Sequence, residues 1–180
     1  MTQAKIVLLR GINLGSRNRV SMPELRALLA DGGFDEVRTY LQSGNVVLSS
    51  RASADSVART CERLIADALG LEIDVVVRTR DELANVVRRN PLGEVAADPK
   101  RYQVSFLSDK LDADVARRLR GLVVEPEQLV ISGREIFAWH PAGVARSKLW
   151  AQLAGRALGV SATARNWTTV TSLLALADSG

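Results

Sequence analysis

Ile6-Val7-Leu8-Leu9 is apolar on both faces, and the chain breaks directly after it at Arg10-Gly11. A strand without polar alternation belongs in the middle of a sheet with both faces covered. The chain must therefore leave the sheet at once and return later to cover it. The departing segment, Arg10 to Arg19, holds two glycines, two asparagines and three arginines and no acid. That composition suits a backbone turning sharply beside an anion.

Ser21-Met22-Pro23-Glu24 reads as a capping box with proline in the first turn, where its missing N–H does no harm. A helix then runs to Gly32-Gly33, with Met22, Leu25, Leu28 and Leu29 on one stripe. Val37–Leu41 and Asn45–Leu48 form a hairpin around Ser43-Gly44. A helix from Ala54 to Gly70, a strand from Ile73 to Val77, and a second capping box at Thr79-Arg80-Asp81-Glu82 follow. The short helix it opens ends at Asn90-Pro91.

The second half repeats the order. Gln103–Leu107 is a strand and Ala113–Arg120 a helix closed by Gly121. Leu129–Ser132 and Glu135–Trp139 form a hairpin around Gly133-Arg134. Ser147–Leu158 is a helix, Ser161–Ala164 a short strand, and Trp167–Ala177 a last helix. The halves share an order of elements, not an evident sequence identity.

The expected fold class is therefore α+β, with two lobes. Each is a βαββαβ ferredoxin-like unit with an antiparallel sheet of order 4-1-3-2, both long helices on one face, and an added helix. The expected boundaries are 1–90 and 101–180, with residues 91–100 as linker. In the first lobe this topology sets the Arg10–Arg19 loop beside Gln42-Ser43-Gly44-Asn45. In the second it gathers His140–Lys148 and Arg165-Asn166-Trp167-Thr168 at the opposite sheet edge.

Composition excludes several classes. With 180 residues, 47% of them hydrophobic and 24% charged, the chain can bury an ordinary core. No segment reaches the roughly 18 consecutive apolar residues of a membrane span, and no signal pattern opens the chain, so a cytoplasmic protein with no membrane partner is expected. One cysteine and one histidine cannot build the usual zinc site, so no metal and no cofactor are expected. Cys61 lies in phase with Val57, Leu64, Ile65 and Ala68 and reads as core rather than catalytic thiol. His140, before Pro141, reads as a loop-edge residue rather than a ligand.

Charge is unevenly spread. Residues 1–20 carry Lys5, Arg10, Arg17 and Arg19, residues 136–177 carry Arg146, Lys148, Arg156 and Arg165, and neither tract contains an acid. Two such tracts point to an electropositive surface for phosphate or carboxylate, against a plainer reading as solvated arginines.

Leu9-Arg10-Gly11-Ile12-Asn13-Leu14-Gly15, Thr39 to Val47 (Thr-Tyr-Leu-Gln-Ser-Gly-Asn-Val-Val), Pro141 and Gly143 before Ser147-Lys148-Leu149, and Thr163 to Val170 together resemble the signature segments of a widespread bacterial domain family catalogued only as a domain of unknown function. The resemblance covers essentially the whole chain. It implies a two-lobed α+β fold and no established activity, so it assigns no catalytic residues. Ser16 stands where the resemblance places a further glycine.

The loop after the first strand is neither a P-loop nor a dinucleotide fingerprint, because the glycine spacing of both is absent. A generic anion cradle of N–H groups and arginines remains. Ser43 beside Asn45 reads as turn chemistry rather than a nucleophile, because no base accompanies it. Ser147 reads as an N-cap, since adjacency to Lys148 does not make a dyad. Trp167 is a core residue or, less favoured, a stacking platform beside Arg165. With only 4% aromatic residues, base readout across a sheet face is disfavoured.

The expected function is a binding module for an anionic ligand, either a nucleotide-like metabolite or a nucleic-acid backbone. Its expected ligand-binding residues are Arg10, Gly11, Asn13, Arg17, Ser43 and Asn45 in the first lobe and Lys148, Arg165 and Asn166 in the second, the two tracts sharing one cleft. The alternatives are a metal-independent transferase or hydrolase acting on a phosphorylated or carboxylated small molecule, and a protein–protein adaptor. Catalytic residues are not identifiable, and nothing in the sequence sets an oligomeric state.

Overall fold

The computed structural model describes residues 1–180. The elements run β1 (Gln3–Leu9), α1 (Met22–Asp31), β2 (Asp35–Tyr40), β3 (Asn45–Ser50), α2 (Ala54–Leu69), β4 (Val75–Thr79), α3 (Arg80–Arg89), β5 (Tyr102–Leu107), α4 (Ala113–Gly121), β6 (Gln128–Ser132), β7 (Glu135–Trp139), α5 (Lys148–Leu153), β8 (Ala162–Asn166) and α6 (Trp167–Asp178). Two four-stranded antiparallel sheets result, ordered β2-β3-β1-β4 and β6-β7-β5-β8. Both are the 4-1-3-2 arrangement of an α+β ferredoxin-like unit. The chain divides into two compact units, Met1–Asn85 with Ser172–Gly180, and Val86–Thr171.

In the first unit β1 is central and buried on both faces, as its unbroken apolar run requires. Val7 and Leu9 join Val46, Leu48, Val75 and Val77 in a core with Met22, Leu25 and Leu29 of α1 and Val57, Cys61 and Ile65 of α2. Ile6, Leu8, Val47 and Val76 alternate onto the other face and are equally buried. Each such aliphatic side chain contributes roughly 1.5–3 kcal/mol by leaving water. Burial pushes the Cys61 thiol up to about 12, with the Glu62 charge adding to the effect. Cys61 is a core residue with little thiolate character.

Local signals set the helix ends. Ser21 Oγ accepts from Glu24 N at 3.2 Å to start α1, and Ser53 Oγ accepts from Ser56 N to start α2. The box opening α3 is reciprocal: Thr79 Oγ1 accepts from Glu82 N at 3.1 Å, and Glu82 Oε2 accepts from Thr79 N at 2.8 Å. The outer strand β2 is irregular. Its register against β3 shifts between Asp35 and Arg38, and Glu36 there has φ +50°.

The second unit packs Leu107, Ile136, Ala138 and Ala162 of its sheet against Leu119, Leu149, Leu153 and Leu158. Here the sequence reading of a helix over Ser147–Leu158 is too long. The α5 helix stops at Leu153, where Ala154 closes it and Gly155 N bonds Gln152 O. The spacing of Leu149, Leu153 and Leu158 continued past the turn because Leu158 is still buried in the same core. Residues 91–95 form turns, and Leu92 N donates to the Tyr102 hydroxyl at 3.3 Å.

Candidate functional site

The first unit's motif residues meet where β1 ends, the β2–β3 hairpin turns and β4 begins. Leu9 N donates to Gly44 O at 2.9 Å and Arg10 N to Asp74 O at 3.0 Å. The loop that follows folds on itself: Asn13 N bonds Asn18 O, and Arg17 N bonds Leu14 O. The Asn13 amide, on a residue at φ +53°, donates to Val20 O at 2.9 Å and Gln42 O at 2.6 Å while its oxygen accepts from Val20 N at 2.8 Å. Loop and hairpin are thus tied by one side chain. Asn18 Nδ2 holds Gly11 O, and Arg19 Nη1 holds Gly15 O.

The hairpin tip is built around Asn45, which is fully buried and donates to Tyr40 O at 3.0 Å and Ser43 Oγ at 2.9 Å. Gly44, at φ +82°, lies so close to β1 that an added Cβ would sit 2.8 Å from Leu9 Cβ and 2.9 Å from Ile12 Cδ1. The six expected residues of this lobe are therefore neighbours in space. The amides of Asn13 and Asn45 face inward as braces, Arg10 is half-buried, and Arg17 is exposed. Leu14 and Leu41, each next to the Asn13–Gln42 bond, are also exposed, at 66% and 58%.

In the second unit β7 ends at Trp139, and His140 N donates to Arg101 O at 3.1 Å. The chain turns through Gly143, whose N–H bonds His140 O, before α5 begins. A cleft of about 520 Å³ opens here, with Val124, Pro126 and Pro141 among its apolar walls and Arg146 and Lys148 on its border. Glu127 and Ser147 also line it. The Glu127 carboxylate takes two bonds on one oxygen, at 2.6 Å from His140 Nδ1 and 2.5 Å from Ser147 Oγ. Ser147 Oγ in turn accepts from Trp150 N at 3.0 Å, capping α5.

His140 is fully buried, edge-on to Trp150 at 5.7 Å, and its Nε2 has no hydrogen-bond partner. With Nδ1 donating to the carboxylate, the imidazole's orientation is fixed. His140 does lie at a loop edge, but inside the protein. The sequence reading missed Glu127 because it lies outside the acid-free tract, 13 residues from His140 and 20 from Ser147. The available signal was the lone histidine followed closely by Ser147-Lys148.

Arg165 and Asn166 are placed differently from Lys148. Neither lines the cleft. Arg165 is 9% exposed and donates to Thr163 Oγ1 at 2.6 Å and Ala164 O at 2.9 Å; burial lowers its pKa to about 10, which leaves it a cation at neutral pH. Asn166 Oδ1 accepts from Thr169 N at 2.9 Å and opens α6. Trp167 stacks on Tyr102 with ring centres 4.8 Å apart and planes 16° from parallel.

No group of three or more His, Cys, Asp or Glu side chains is placed to hold a metal ion. No helix is long and apolar enough to cross a membrane.

Among solved structures, the conserved bacterial protein SP0830 from Streptococcus pneumoniae superposes with a TM-score of 0.81 at 23% identity, over 98% of this chain and 99% of that one, and so shares the fold. A candidate chlorite dismutase, TA0507, aligns over 97% and 98% of the two chains at 11% identity with a TM-score of only 0.24, too low to indicate a shared fold. No curated protein matches the sequence. A family model described as protein of unknown function DUF1697 matches residues 1–137, and the chain belongs to that family.

Proposed function

We propose that the protein binds a small anionic ligand, of the nucleotide-like metabolite class, in the cleft of the second unit. The supporting observation is the pairing of Arg146 and Lys148 with apolar walls around about 520 Å³. That is an ordinary size for a small-molecule site. Arginine and lysine suit a phosphate or carboxylate, and the Val124, Pro126 and Pro141 walls suit an apolar or planar body. Arg165 and Asn166 support the same unit from within, and Arg10 and Arg17 lie on the loop of the first unit. A cytoplasmic location, where phosphorylated metabolites are abundant, belongs to the same proposal.

Calorimetry with a panel of nucleoside mono- and diphosphates at low salt tests this. Binding that weakens about tenfold or more in an Arg146→Ala/Lys148→Ala variant supports the reading. Absence of binding in the unaltered protein, or binding indifferent to both substitutions, overturns it.

A second reading is favoured by one observation, the Glu127 carboxylate shared by Ser147 and the buried His140. It supplies beside the cleft the acid–base group that a metal-independent transferase or hydrolase requires. Turnover of phosphate or carboxylate esters abolished by Glu127→Gln, with ligand affinity retained, would establish it. Ester turnover equal in Glu127→Gln and the unaltered protein would remove it.

A further inference from the structure

The tip of the first unit carries two features that its fold does not need. Leu41 is 58% exposed at φ +58°, and Leu14 is 66% exposed on the adjoining loop. A leucine in the left-handed region is disfavoured by its own Cβ, where asparagine or glycine would sit with less strain. Exposure adds a second cost, since neither side chain is removed from water. Asn45 holds the turn from inside, and Asn13 ties it to the loop through Gln42 O, so the two leucines are presented on a braced edge. Beside them lie the exposed Arg17 and Arg19, in a tract of 20 residues without one acid.

We propose that this tip is a docking surface for duplex DNA, with Leu14 and Leu41 acting as an apolar wedge in the minor groove and the arginines on the flanking phosphates. Charge complementarity indicates a polyanion. Two exposed aliphatic side chains on a braced turn suit insertion into a groove rather than capture in a pocket. The side-chain type narrows the class further. Single strands are held by aromatic stacking, and the exposed tip residues are aliphatic. Protein interfaces concentrate their affinity in tryptophan, tyrosine and arginine, with leucine under-represented. Aliphatic wedges flanked by arginine are the pattern of minor-groove proteins that open a base step. The inference is independent of the cleft in the second unit.

The test is fluorescence anisotropy of the full chain with a 20-base-pair duplex at low salt, with the melting temperature followed in parallel. The Leu14→Ser/Leu41→Asn variant is expected to melt no lower than the unaltered protein and to lose at least tenfold in affinity. The salt slope is expected to fall by about 0.9 in Arg17→Gln, as one phosphate contact is lost. Energy transfer between dyes at the duplex ends is expected to rise on binding the unaltered protein and not the leucine variant. Unchanged affinity of the folded leucine variant overturns the proposal. So does preference for the single strand, or binding of an acidic polypeptide such as polyglutamate with none to the duplex.

Discussion

The two units share a strand order and even the same pair of bonds at one sheet edge. Leu9 N to Gly44 O and Arg10 N to Asp74 O in the first unit correspond to Leu107 N to Arg134 O and Ser108 N to Ser161 O in the second. They differ in where extra chain is inserted. The first unit lengthens the connection from β1 to α1, residues 10–21, whereas the second keeps its counterpart short, residues 108–112, and lengthens the stretch from β7 to α5, residues 140–147. The first insertion closes over Asn13 and makes a braced tip that exposes Leu14. The second turns around Glu127 and leaves a cleft. One scaffold thus carries a braced tip in one unit and a cleft in the other, each formed by an insertion rather than by the sheet.

This contrast predicts that the hairpin tip on which the first insertion rests, and the second insertion itself, each hang on one polar side chain. Asn45→Ala should have the largest effect, about 3 kcal/mol in urea unfolding, because it removes two bonds from a fully buried amide and takes a donor from the half-buried Tyr40 carbonyl. A loss under about 1 kcal/mol would mean that the tip is held by backbone alone. Glu127→Ala should cost about 2 kcal/mol, since the fully buried His140 loses the acceptor for Nδ1 and the Ser147 hydroxyl loses the acceptor for its proton. Equal costs for the two variants would remove the distinction between a sealed edge and an open one.

Gly11→Ala should cost only about 1 kcal/mol, the penalty of φ +69° in open space, and Gly44→Ala more, because its Cβ meets Leu9 and Ile12 as well. The smallest effect is expected away from both insertions. A hydrogen bond from Arg80 holds the Asp178 carboxyl below the usual carboxylate range, at an exposed site. Its contribution is present above the ordinary carboxylate pKa and fades as pH falls through the lowered value. Asp178→Asn should therefore leave the neutral-pH melting temperature nearly unchanged and slightly flatten the acid limb of a melting-temperature profile.

The strand order was legible because doubly apolar runs, Ile6–Leu9 above all, have only central positions to occupy. The adjacency of the Arg10–Arg19 loop and the Gln42–Asn45 turn followed from topology alone. The direction of their side chains did not. Asn13 and Asn45 have the composition of a ligand site, yet Asn13 spends its amide on backbone carbonyls and Asn45 on the Tyr40 carbonyl and Ser43 Oγ, and a linear sequence does not distinguish an amide turned inward from one turned outward. Glu127 was illegible for a different reason: its partners lie 13 and 20 residues away, with a whole hairpin between them. The left-handed Leu41 was likewise invisible, because nothing in Tyr40-Leu41-Gln42 marks a residue held against its own preference by a neighbour four positions on.

The irregular outer strand β2 bears on how the protein behaves at high concentration. An open sheet edge offers unpaired backbone groups to any passing extended chain, and a flat edge invites polymer growth. Here the register slips between Asp35 and Arg38, Glu36 turns to positive φ, and its carboxylate is fastened by Ser49 Oγ at 2.6 Å. A foreign strand laid along β2 would find its hydrogen-bond ladder interrupted after a few rungs and a row of charges in its path. Straightening this kink, more than loosening the core, is the change that would make the protein prone to templated self-association.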